Sequence, residues 1–124
     1  MSMGFVRHRQ SERAWDDVEP AVYDHPELDG VERHDLIAGA DDAPNYHVRY
    51  FHVEPGKRTA REHHPHDHGV VIQRGRARVT LGDETHEVGP GDVVYVAGDE
   101  LHCFEAIGDE PLGFICVIPP LQRP

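Results

Sequence analysis

The chain has 124 residues, with twelve lysines and arginines against twenty-three aspartates and glutamates, for a net charge of −11 with neutral histidines. That length supports one hydrophobic core rather than two, and an acidic surface spread along the whole chain argues against nucleic acid or an anionic membrane as partner. No run of eighteen apolar residues occurs, the start of the chain lacks a signal-like apolar stretch, and two cysteines thirteen apart give no disulfide framework, so a cytoplasmic setting is expected.

Residues 1–30 are polar and carry Pro20 and Pro26. They read as an arm that orders only against something else, such as a dimer interface. From residue 31 the texture changes to short apolar runs separated by turn formers, and none of the runs has a helical period. The expected strands are Val31–Ala38, Tyr46–Val53, Gly69–Gln73, Arg76–Leu81, Thr85–Val88, Val93–Val96, Leu101–Ile107 and Leu112–Ile118. The connecting segments, among them "EPGK", "GDE", "GPGD" and "AGDE", are rich in the Gly, Pro and Asp that tight turns require. Eight short strands over residues 31–119 define an all-β sandwich or barrel. In "RARVTL" Ala77, Val79 and Leu81 share one face. "LGFICVIPP" is apolar on both faces, which a subunit interface would cover, and residues 120–124 read as a tail.

Between the second and third strands stands "REHHPHDHG", residues 61–69, with a glutamate and four histidines. On a regular strand Glu62, His64, His66 and His68 would share a face. That is more than one ion takes from one strand, so Pro65 is expected to break the alternation and a further ligand to come from elsewhere. His102 is the candidate, because it opens an apolar strand directly after a turn. His8, His25, His34, His47, His52 and His86 read as surface or structural residues.

The spacing resembles the two motifs of the cupin superfamily. Gly56, five residues, Glu62-His63-His64, three residues, His68, six residues and Gly75 reproduce the first motif, with glutamate in place of its first histidine and histidine in place of its glutamate. Gly91, five residues and then Ala97 to His102 reproduce the length of the second, with Ala97, Asp99 and Ala106 replacing its proline, second glycine and asparagine. "DAPNY", "VEPGK", "EHHPHDH" and "CVIP" are further counterparts of blocks in small single-domain cupins.

The resemblance implies a jelly-roll barrel, a homodimer, and one divalent transition metal per chain held by Glu62, His64, His68 and His102. Manganese or iron is favoured, with zinc, nickel, cobalt or copper as alternatives. His63, His66 and Asp67 fall outside that ligand set. It also places Phe114, Cys116 and Ile118 inside the barrel, and Phe104 shares the face of His102 on its strand, so the pocket is expected to be mostly apolar. Arg49, on the strand before "VEPG", is the one basic residue expected near that pocket, to hold a carboxylate or enolate. The implied activity is that of an oxygenase cleaving a C–C or C=C bond of an apolar enol, diketone or alkene. A non-oxidative isomerase or decarboxylase and a non-catalytic binding module are the alternatives.

Overall fold

The structure is a computed structural model and describes residues 3–120. Turn-punctuated alternation yields two facing antiparallel sheets, the jelly-roll barrel expected from the motifs. The larger has the order β3-β4-β5-β11-β6-β9 and the smaller β10-β7-β8. The eight expected strands all form, as β4 (Val31–Ile37), β5 (His47–Val53), β6 (His68–Arg74), β7 (Arg76–Leu81), β8 (Glu84–Val88), β9 (Val93–Val96), β10 (His102–Ile107) and β11 (Leu112–Ile118). Their ends shift by a residue or so, and one shift matters: β6 begins on His68 itself, so this histidine is fixed by the ladder with β9.

Period two sorts the side chains. Val70 and Ile72 on β6, Val79 on β7, Val96 on β9 and Leu112 on β11 are fully buried between the sheets, each removing about 1.5–3 kcal/mol worth of apolar surface from water. Phe114 stacks on Phe51 at 5.2 Å and on Phe104 at 4.7 Å, tying β5, β10 and β11 together at the centre of the barrel. Gly113 is required where it stands, because a Cβ there would lie 1.9 Å from the Tyr50 hydroxyl.

Residues 3–30, expected as an arm, pack onto the barrel of their own chain. β1 (Arg9–Ser11) and β2 (Ala14–Trp15) form a hairpin, and β3 (Ala21–Val22) pairs with β4 at the edge of the large sheet. Trp15 packs at 5.0 Å on Tyr50 and 5.6 Å on His34, and Arg7 donates to the carbonyl of Leu36. The segment therefore covers the outer face of its own sheet, which is why His34, Tyr50 and His52 are buried on that face. A single tryptophan in a polar run carries this packing, and composition hides it.

β11 is covered at Gly113 by Tyr50 and half-covered at Ile115, while Val117 stays 39% exposed. Cys103 and Cys116 are both buried and free. Of the tail expected at 120–124, only Pro120 falls within the described residues.

Candidate metal centre and its cavity

The loop after β5 runs back across the open end of the barrel and is stitched to β10. Thr59 N–H donates to Phe104 O at 2.9 Å, Glu62 N–H to His102 O at 3.2 Å, and His102 N–H returns to Glu62 O at 3.0 Å. Beyond Glu62 the alternation breaks around Pro65, as expected. Gly98 lets the "AGDE" turn approach this loop, since a Cβ there would sit 2.5 Å from the Pro65 carbonyl. Asp99 donates its N–H to His64 O at 2.7 Å. It holds a left-handed φ of 62°, the conformation the motif's glycine would supply and one that aspartate tolerates. The replaced letters of the second motif therefore leave the turn intact.

These elements bring His64, His68 and His102 together, with one ring nitrogen from each lying within 4.8 Å of the others. The far side of every ring is held. His64 Nδ1 donates to the His66 carbonyl at 3.1 Å and His102 Nδ1 to the Glu100 carbonyl at 2.9 Å. A carbonyl only accepts, so both rings carry the proton on Nδ1 and keep a bare Nε2 lone pair. His68 Nδ1 lies 3.2 Å from Cys116 Sγ, and its Nε2 lies 3.0 Å from His64 Nε2.

A thiol can give or accept a weak hydrogen bond. Without an ion, the Cys116 S–H donates to His68 Nδ1 and the His68 Nε2–H donates to His64. To hold an ion, His68 would need a bare Nε2, with its ring proton on Nδ1 facing the Cys116 sulfur. Three imidazoles whose outer nitrogens are held in this way fit a divalent transition ion. The ligand set alone does not select which one.

Replacing Cys116 with valine should weaken metal binding about 10- to 100-fold, the range for losing a ligand's outer partner. Cys116→Ser should retain most of the affinity. Calorimetric metal titration of both variants checks this.

Burial first, and then His102 and His64 beside it, lower the His68 pKa from 6.5 to about 3. The unfolded chain therefore takes up a proton on this residue below pH 6.5 that the folded, metal-free chain refuses. Stability should be complete above pH 6.5 and fall as pH drops from there toward 3. Denaturant unfolding of chelator-treated protein across that range measures the slope, and His68→Gln should reduce it.

Glu62, the fourth residue of the expected ligand set, lies beside these three rings. Its backbone faces His102, but its side chain is 53% exposed, its carboxylate lies 3.8 Å from His64 Nε2, and it is not among the converging atoms. His63 is exposed, His66 stacks on His64 at 3.8 Å, and Asp67 accepts from the Tyr95 hydroxyl at 2.8 Å.

Inward from the triad lies a cavity of about 380 Å³. Arg49, Phe104, Phe114 and Cys116 line it. Ile118 is buried in the core but outside the cavity wall. Tyr23, Leu28, Arg33, Phe51 and Thr59 complete much of the wall and were not singled out by motif or phase. Two of them come from the first thirty residues, where sequence texture gives no sign of a site.

Fold and site together define a small β-barrel with a cluster of three histidines, able to hold a metal ion, beside an aromatic cavity. The Cupin_2 model, described as a cupin domain, matches residues 49–118, and the chain belongs to that family.

Among curated proteins it is 42% identical over 71 residues to 1-methylthio-D-xylulose 5-phosphate methylsulfurylase of Rhodospirillum rubrum. That match spans 57% of this chain and 46% of the relative, so the chain spans less than half of that protein's length. Among solved structures, a cupin-2 domain protein from the same species superposes with a TM-score of 0.81 at 32% identity, covering 97% of this chain and 80% of the other. A cupin 2 conserved barrel domain protein from Rhodopseudomonas palustris gives 0.82 at 30% identity, covering 97% and 83%.

Proposed function

We propose that this cupin is a metal-dependent enzyme that enolises a small carbonyl compound. One observation carries the reading: a carboxylate, Glu62, stands at the rim of the cavity 3.8 Å from His64 Nε2, yet outside the cluster of converging nitrogens. His64, His68 and His102 would hold the ion, which when bound supplies Lewis acidity toward a carbonyl oxygen.

Glu62 then acts as the base. It takes a proton from the carbon next to the carbonyl, the C–H electron pair becomes the C=C bond of the enolate, and the carbonyl π pair moves onto oxygen. In an α-hydroxy carbonyl compound, returning that proton to the former carbonyl carbon, while the α-hydroxyl proton passes to the original carbonyl oxygen, completes an isomerisation. Phe51, Phe104 and Phe114 exclude water from one side of the substrate. The methylsulfurylase relative supports this chemistry, since its name gives a derivative of xylulose, a ketose.

The aromatic wall favours a second reading, oxygenase cleavage of an apolar enol with iron or manganese. One experiment separates them: incubate the metal-loaded protein with hydroxyacetone in D₂O while monitoring dissolved oxygen. Deuterium uptake without oxygen consumption is the expected result. Oxygen consumption without exchange would assign the second reading, and neither, with metal bound, would leave a binding protein.

A further inference from the structure

We infer that Arg49 is the anchor for an oxyanion, so that the small molecule this cavity takes carries a carboxylate or phosphate close to its metal-facing oxygen. The inference rests on the metal-dependent reading above and names the class of compound that reading would act on.

The first observation is a charge without a partner. Arg49 lines the cavity on β5, its Nε is inaccessible to solvent, and that nitrogen has no hydrogen-bond acceptor among the described residues. Its one side-chain hydrogen bond is from an Nη to Cys116 Sγ at 3.9 Å, a weak acceptor at long range. Its guanidinium carbon lies 5.1 Å from the centre of the Phe51 ring, a contact that offsets only part of the loss of water around a cation.

The omission is not for want of acids, since the chain carries twenty-three. Arg7, Arg13, Arg33, Arg58, Arg74 and Arg78 each pair with one. Arg33 is the instructive contrast. It lines the same cavity, but Asp35 holds it in a fork at 3.0 and 3.3 Å, so its charge is already answered. Asp35 is also the residue opposite Arg49 across the β4–β5 ladder, and its carboxylate is committed to Arg33 instead. A forked donor left open in a water-poor wall matches a planar or tetrahedral oxyanion.

The second observation is position. Arg49 touches Cys116, and Cys116 touches His68 at 3.2 Å, so the open donors and the converging ring nitrogens are joined through one sulfur atom. At about 30 Å³ per water-sized group, the cavity of about 380 Å³ admits on the order of a dozen non-hydrogen atoms. An α-keto acid or a short keto- or hydroxyaldehyde phosphate meets both limits, whereas a long apolar chain does not answer the charge.

The test is calorimetric titration of the metal-loaded protein with pyruvate, dihydroxyacetone phosphate and neutral hydroxyacetone. At least one anion should bind tenfold or more tightly than hydroxyacetone, and which one does so distinguishes carboxylate from phosphate. In Arg49→Met that preference should vanish with metal content unchanged. Thermal stability without ligand should stay equal or rise, because an unanswered cation has been removed, whereas a merely structural arginine would lower it.

Arg49→Lys keeps the charge without the fork and should retain part of the preference, and Arg33→Met should not erase it. Equal anion affinity in Arg49→Met and wild type would overturn the inference, as would hydroxyacetone binding as tightly as both anions or no anion binding at millimolar concentration. Deuterium exchange is read separately: an Arg49-dependent anion preference without exchange would keep this inference and remove the enolisation reading.

Discussion

Replacing His102 with alanine is expected to abolish divalent-metal binding, with an affinity loss greater than the roughly 100-fold cost of losing an outer partner of a ligand. The ring is 4% exposed, begins β10, and is aimed by the Glu100 carbonyl at 2.9 Å, so neither of the remaining histidines can replace it. A ligand that binds only the folded chain at 1,000 times its dissociation constant adds about 4 kcal/mol of stability, and the variant loses that contribution. Wild type should therefore melt at a lower temperature in chelator, while His102→Ala should melt at the same temperature with and without it. Differential scanning calorimetry in both conditions, with metal content measured on the same samples, checks both halves.

Replacing Glu62 with glutamine should leave metal content unchanged and lower the exchange rate by about 10²- to 10⁴-fold, the usual contribution of a positioned base. The amide keeps the size of the carboxylate and both backbone bonds to His102, so a folding defect is not expected. Motif spacing assigns this residue as a metal ligand, whereas the proposed function gives it the role of base. If Glu62→Gln lost its metal together with its activity, the ligand assignment would be right and the base would have to be sought elsewhere.

The parts legible in the sequence are those that depend on spacing and phase. Alternation in "RARVTL" and the turn formers between runs give the strands of the barrel, because a period of two allows only one face to be buried. The spacing from Gly56 to Gly75 leads to His64 and His68, and the odd position of a histidine opening an apolar strand leads to His102. What spacing cannot give is direction. Glu62 occupies a ligand's place in the motif, and its side chain is half-exposed and outside the group of three converging ring nitrogens. Ile118 is in phase with Phe114 and Cys116, yet it lies outside the cavity wall.

Contacts between segments remote in sequence are equally hidden. Nothing in "RHRQSERAWDD" says that Trp15 seats on Tyr50, or that Tyr23 and Leu28 reach the cavity. The hydrogen bond from Cys116 to His68, and the choice of Asp35 to pair with Arg33 rather than Arg49, likewise exist only once the strands are assembled.

The central claim is that His64, His68 and His102 hold one divalent ion through their Nε2 atoms. Crystals of the metal-loaded protein, with anomalous diffraction recorded at the edge of the metal found by elemental analysis, test it most directly. The account predicts one ion per chain, about 2.1 Å from all three Nε2 atoms, with the Glu62 carboxylate unbound. A chain that takes up no ion, or an anomalous peak away from these three nitrogens, would contradict it.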